Sequence, residues 1–234
     1  MSTPLLQTLF PNIQDWAELG KACIDTLLML GGSLALTVLI GLPLGVLLYL
    51  TGRGQLRASP ALYGVLSLVV NVVRSIPFII LVVAIIPFTR MIAGTSIGTT
   101  AAIVPLTLAA APFIARIVET AIREVEGGLI EAARAMGATP GQIIAKVLLP
   151  EALPGIVLGL TLAIVSLIGY SAMVGAVGGE GLGDLGIRYV YQRFMPDVML
   201  AVVVILIVLV QGVQSLGEWI ARRLDHRAAK DRGL

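Results

Sequence analysis

The sequence predicts an all-helical integral membrane protein with five transmembrane helices, and three observations carry that reading. Mean hydropathy is +0.97 with 57% hydrophobic and 13% charged residues, far from the composition of an ordinary soluble domain. Four stretches carry no charge at all: Leu27 to Leu50, Ile97 to Ala115, Ala152 to Gly179 and Val198 to Gly217. Each reaches the roughly 18 to 20 residues that a helix needs to cross about 30 Å of hydrocarbon. A further apolar stretch from Leu62 to Phe88 carries one charge, Arg74, and is interrupted by Pro77 and, near its end, Pro87. The expected spans are 22–50, 62–90, 97–123, 152–177 and 197–220 in a single domain covering 1–234, with a connecting loop over 124–150.

The first span follows only Lys21 as a basic residue and has no small-residue cleavage pattern, so it is expected to stay in the membrane rather than act as a cleaved signal. The second contains Arg74 and Pro77, which place its early part near an interface. Arg74 either snorkels to the inner interface or caps a neighbouring helix. The third span holds Arg116 among apolar residues. Facing lipid at mid-helix, such an arginine costs about 2.5 to 3.5 kcal/mol. Glu119 lies one turn on and Arg123 four residues further, so a ladder of Arg116, Glu119 and Arg123 can satisfy all three charges. Structural pairing is the favoured reading of that ladder. One cysteine, Cys23, permits no internal disulfide, and the single histidine, His226, lies in a basic tail. No cofactor, metal or nucleic-acid partner is expected.

Basic residues orient the spans, because Lys and Arg accumulate in cytoplasmic loops. A cytoplasmic C-terminus and an outer N-terminus place Arg53, Arg57, Arg123, Arg134, Lys146, Arg222, Arg223, Arg227, Lys230 and Arg232 inside, ten of the sixteen. Lys21, Arg90, Arg188 and Arg193 fall outside, and the 124–150 loop is then cytoplasmic.

That loop contains EAARAMGATPGQIIAKVLLP, Glu131 to Pro150. Leu129, Ala133 and Met136 recur at helical spacing, and Gly137 follows as a residue able to take positive φ and end the helix. Thr139, Pro140 and Gln142 supply an N-cap, a first-turn proline and a capping-box partner for a second helix through Leu148. Pro150 disfavours helix at Leu149 and opens the fourth span. The loop is either a well-capped connector or a docking element. Its length, and a short helix offering Leu129, Ile130, Ala133 and Met136 to a groove in a partner, favour the second.

The spacing Glu131-Ala132-Ala133, Gly137, Val147-Leu148-Leu149-Pro150 resembles the EAA loop of ABC importer permeases, with Val147 where the usual pattern has isoleucine. NVVRSIPFIIL (71–81), GTSIG with AAIVPLT (94–107), AAPFIAR (110–116) and LIGYSAMVGAVG (167–178) resemble the methionine-importer permeases of that family. The resemblance implies a type I ABC importer permease in the cell inner membrane. It would work as a dimer with a second copy of itself, two cytoplasmic ABC ATPase subunits and a substrate-binding protein that delivers methionine. It also implies that Glu131, Ala132, Ala133, Gly137, Leu149 and Pro150 form the coupling element that docks into the ATPase. No G-x-x-x-x-G-K-[ST] occurs, so nucleotide hydrolysis is expected of a partner and not of this chain.

Gly181, Gly183 and Gly186 satisfy G-x-G-x-x-G, yet they follow a membrane helix rather than a strand, which argues against a dinucleotide site. GGEGLGDLG (178–186) reads as a turn dipping back toward the outer mouth, or as a plain connector. On the fourth span, Gly155, Gly159, Ser166, Gly169, Ser171, Ala172, Gly175 and Ala176 make a small-residue face along which two copies could meet. Met173, the bulky flexible side chain amid those small neighbours, is either a gate on the transport path or ordinary packing. An importer for another small amino acid or a methionine derivative is the alternative within the family. A secondary transporter would bring an intramembrane carboxylate pair or an inverted repeat, and neither occurs. A mere membrane anchor leaves the capped loop unexplained.

Topology gives a direct test. With Cys23 removed, single cysteines at Ser2 and Lys146 should react with an impermeant thiol reagent from opposite faces of the membrane; labelling of both from one face would mean an even number of spans.

Overall fold

The computed structural model describes residues 16–225. The tail residues His226, Arg227, Lys230 and Arg232, and the proposed labelling position Ser2, lie outside them. All regular elements among the described residues are helical. Among the described residues four helices are long and apolar enough to cross a membrane: α1 (Trp16–Thr51), α5 (Thr99–Arg123), the continuous helix Pro140–Gly175, and α10 (Pro196–Leu224).

The stretch expected as one span over 62–90 is broken. It forms α2 (Pro60–Ser75), α3 (Phe78–Ala84) and α4 (Ile86–Ala93), with a bend of 101° between α2 and α3. Pro77 explains the break, since proline disfavours helix in the residue before it and withholds a donor N–H. Counting α2 and α3 as one broken span gives five crossings, and otherwise the number is four.

The rest of the chain folds into α6 (Gly127–Ala135), α7 (Pro140–Ile143), a π-helical turn (Ile144–Leu148), α8 (Leu149–Gly175) and α9 (Leu182–Arg193). The expected interruption at Leu149 is absent: its φ and ψ are −66° and −46°, and helix runs on through Pro150. The π turn accounts for this. Leu149 N–H bonds to the Ile144 carbonyl, five residues back. That wider turn accommodates a proline that offers no N–H and would crowd the carbonyl four residues before it in a regular α-turn.

Two structural units emerge. The first takes the described residues up to Leu36 with Ile76–Ala109 and Ile164–Val213. Here α9 is tied to α1 and α8. Thr26 Oγ1 donates to the Ala22 carbonyl at 2.9 Å and accepts the Leu182 N–H at 2.9 Å, capping α9 from a neighbouring helix. A Cβ on Gly175 would lie 2.2 Å from the Asp184 nitrogen, and one on Gly183 2.4 Å from Ala172 Cα, so α8 and α9 meet backbone to backbone. Most of GLGDLG therefore begins a helix, and only the residues before Leu182 form a turn. Phe78 on α3 stacks on Tyr170 of α8 at 4.4 Å between ring centroids.

The second unit takes Thr37–Ser75, Ala110–Ala163 and the described residues from Gln214. Its core gathers Tyr49, Ile114, Val118, Ile122, Ile143, Leu148 and Ile156. Gly41 and Gly45, four residues apart, let α1 lie directly on α5. A Cβ on Gly41 would meet the Ala111 carbonyl oxygen at 2.9 Å, and one on Gly45 the Ala115 carbonyl oxygen at 2.5 Å. On α8, Gly159 admits Ile117 and Gly155 admits Ala121, so this part of the small-residue face is filled from within the chain.

Gly45→Leu should lower the melting temperature in detergent, by an overpacking cost of about 1 to 3 kcal/mol, because a backbone carbonyl cannot swing aside as a side chain can. Gly20→Leu, with nothing within 4 Å of its Cβ position, serves as the control and should leave the melting curve in place.

Candidate functional site: a pinned loop, a buried ion cluster and an apolar cavity

The loop is built from two caps and three anchors. Helix α6 ends at Ala135 with Met136 as its C-cap, and Gly137 takes φ +81°. Gly137 N–H then reaches the Arg134 carbonyl at 2.9 Å and Ala138 N–H the Ala133 carbonyl at 3.0 Å, which is the Schellman arrangement. Thr139 and Gln142 close a reciprocal capping box, with Thr139 N–H donating to Gln142 Oε1 at 2.8 Å and Gln142 N–H to Thr139 Oγ1 at 3.4 Å. Ala133, Ile143 and Leu148 are buried in the second unit's core.

Among the residues expected to couple, Glu131, Ala132, Gly137 and Pro150 are exposed, Leu149 is half-buried and Ala133 faces the core. The apolar face expected to dock a partner is therefore divided. Ala133 and Ile130 pack inward, whereas Met136 is 81% exposed and Leu129 40% exposed. The surface that remains open is a short rigid ridge carrying Leu129, Glu131, Ala132 and Met136.

The ladder on α5 is present and gains partners from α2. Arg116 and Arg123 each donate to Glu119 at 2.6 Å, one to each carboxylate oxygen, and the Glu119 side chain is 4% exposed. Arg116 also donates to Asn71 Oδ1 at 3.0 Å, to the Ser67 carbonyl at 3.4 Å and to the Ser67 hydroxyl. The Tyr63 hydroxyl accepts from Arg116 at 3.4 Å and from Arg123 at 3.3 Å. Arg74 settles over the Phe113 ring, 5.7 Å from its centroid.

In the first unit, Met173 is 47% exposed and borders a cavity of about 410 Å³. Its walls include Gly169, Ala176, Gly183, Ile187, Met199 and Val203. Gly169 has nothing within 4 Å of its Cβ position, so the small-residue face of α8 stays open here. Along α9, Arg188 bridges Glu18 at 3.0 Å and Asp184 at 3.2 Å. The Tyr189 hydroxyl donates to Glu18, and that hydrogen bond together with burial raises its pKa above the ordinary phenol value. Thr99 donates to Glu180 at 2.7 Å.

The family described as the binding-protein-dependent transport system inner membrane component matches residues 9–229. The chain belongs to this family. A relative in Vibrio cholerae, a probable D-methionine transport system permease protein MetI, is 52% identical over 223 residues, 93% of this chain and 99% of its own. The D-methionine transport system permease protein MetI of Escherichia coli K12 is 65% identical over 136 residues, 58% of this chain and 63% of its own. Among solved structures, an inward-facing MetNI methionine ABC transporter chain is 52% identical with a TM-score of 0.88, covering 97% of this chain and 100% of that one. A chain from an amino acid ABC transporter, 22% identical with a TM-score of 0.70, shares the fold. This permease thus has the type I ABC importer fold, and the glycine triplet in 181–186 sits in an all-helical setting with no strand among the described residues.

The α2 partners of the ion cluster escape an inspection confined to one span. Their signal lies in spacing: Tyr63, Ser67, Asn71 and Arg74 form a polar stripe at helical intervals through an otherwise apolar segment.

Gly137→Val should strain the cap, since a β-branched residue is disfavoured at φ +81°. Limited proteolysis of the detergent-purified permease should then cut faster within 127–149 while the spans stay protected. Unchanged cutting would show that the cap does not hold the loop's shape.

Proposed function

We propose that this permease carries methionine inward across the cell inner membrane, as a dimer with a second copy of itself. ATP would be hydrolysed by two cytoplasmic ABC ATPase subunits, and a substrate-binding protein would deliver the amino acid from outside. The N-terminus lies outside and the C-terminus in the cytoplasm, an orientation supported by the distribution of basic residues. The observation that carries this reading is the pinned loop. A ridge of Leu129, Glu131, Ala132 and Met136 stands exposed on a helix whose other side is locked into the core by Ala133. Such an element suits a groove in a partner. Methionine is supported by the Vibrio cholerae and Escherichia coli relatives and by the absence of charge from Ala152 to Gly179.

The chain's own residues fit a mechanical role. Closure of the ATPase pair on nucleotide would displace the ridge, and Gly137 and the capping box keep that displacement from dissipating in a flexible loop. Helix continues from Pro140 to Gly175, so movement of the loop enters α8 without a hinge at Pro150. At the other end of α8, Met173 faces the apolar cavity and can fill or vacate it at low rotamer cost. Paired Met173 side chains from two copies would close the path by apolar contact.

Two measurements test the proposal. Co-expressed with its ATPase subunit and binding protein and reconstituted in proteoliposomes, the permease should take up labelled methionine only with ATP; uptake without ATP, or no uptake of methionine, would overturn the reading. In the same vesicles Met173→Ala should raise solute leak or uncoupled ATP hydrolysis at unchanged melting temperature, whereas a lowered melting temperature without leak would make Met173 a packing residue.

A further inference from the structure

We propose that the Glu119 ion cluster is a clamp that makes α2 follow α5, and that Tyr63 is its positioning residue. Apart from this cluster α2 is held by a small apolar patch, in which Val70 and Leu66 pack with Leu48 of α1 and Ala115 of α5, and by Arg74 over the Phe113 ring. Val70 is its one buried residue, and Val65, Leu68, Val69 and Val72 are each more than half exposed. In hydrocarbon such apolar faces gain nothing by leaving lipid for a neighbouring helix, so association falls to close packing and to hydrogen bonds.

The hydrogen bonds are all on one side. Arg116 reaches across to Tyr63, Ser67 and Asn71, and Arg123 reaches to Tyr63 while its guanidinium lies 5.8 Å from the Tyr63 ring centroid. Glu119 fixes both arginines by taking one on each oxygen. The buried Glu119 carboxylate holds the two guanidinium groups side by side, because without it two like charges would lie together with no counter-ion between them. Tyr63 is the one side chain of α2 that touches both guanidinium groups, and thereby registers α2 along two turns of α5.

The clamp sits beside the loop's anchorage. Ile122 and Val125, next to Arg123, share the core with Ala133, Ile143 and Leu148 of the loop. Displacement of the loop therefore moves the end of α5, and the clamp passes it on to α2. This inference rests on the coupling role proposed above.

Tyr63→Phe keeps the ring under Arg123 and removes only the shared hydroxyl. Ser67→Ala with Asn71→Leu removes the remaining side-chain acceptors on α2. In proteoliposomes holding the permease, its ATPase subunit and its binding protein, each variant removes two hydrogen bonds to arginine and should lower methionine uptake per ATP hydrolysed by at least about tenfold, the scale of a single lost hydrogen bond to a charged group. A purely structural loss would reduce both rates together and leave their ratio unchanged, and an unchanged ratio in both variants overturns the clamp. An absence of methionine uptake in the unmodified complex defeats the proposed function instead, and a solute-free measurement then decides the clamp. Spin labels at Val65→Cys on α2 and Glu124→Cys, just past the end of α5, with Cys23→Ser, should give one narrow distance that broadens in Tyr63→Phe. A distribution of the same width in both proteins refutes it.

Discussion

Lipid tails are as apolar as leucine, so the helices of this permease cannot be held together by hiding oil from water. What remains is backbone approach, hydrogen bonding and shape. Each of these is concentrated at a few places. Gly41 and Gly45 bring α1 onto the carbonyls of α5, Gly159 admits Ile117, and Gly175 and Gly183 bring α8 and α9 together. Between α2 and α5, where Ala115 against Val70 is the small-residue contact, an ion cluster adds the hydrogen bonds. The long apolar surfaces of α1, α2 and α10 remain free to face lipid or another subunit.

The same constraint explains how hydroxyl groups are treated. Ser33 and Thr51 return their hydroxyl protons to carbonyls of the preceding turn, at 2.6 and 2.8 Å, which satisfies a buried donor without a second helix. Thr26 does so too, yet also accepts from Leu182 N–H and so joins two helices. A single methyl-bearing hydroxyl thus supplies the cap that Gly181, lacking a side chain, cannot give to α9.

Much of this was legible in the sequence. Uncharged runs mark the long helices because the bilayer demands them. The loop's caps could be placed to the residue, Gly137 and the Thr139–Gln142 pair included, because capping depends on short-range chemistry. Arg116, Glu119 and Arg123 could be paired by helical spacing alone. Contacts between distant segments were harder to read. The sequence offers several small-residue stripes, and nothing local says which helix each will meet, so the α8 glycines looked available to a second copy when Gly155 and Gly159 were already occupied. The stretch 62–90 looked like one span because hydropathy averages over Pro77 and is blind to direction. Helix through Pro150 was missed because the widened turn that relieves it lies upstream of the proline.

That widened turn bears on how chain length can vary between relatives. Ile143 and Leu148 are both fully buried and five residues apart, a spacing that a regular α-helix would put on different faces and a π turn puts on one. Removing a residue between them would bring the pair to the four-residue interval of ordinary helix, with both side chains still facing inward. Straightening the turn by losing one residue here would return Pro150 to a regular α-turn, where its ring crowds the carbonyl four residues back, so such a loss is tolerated only with the proline replaced, whereas losing one between Ala133 and Gly137 would rotate the exposed ridge away from whatever it serves. The loop's tolerance for insertion and deletion is thus uneven along its length.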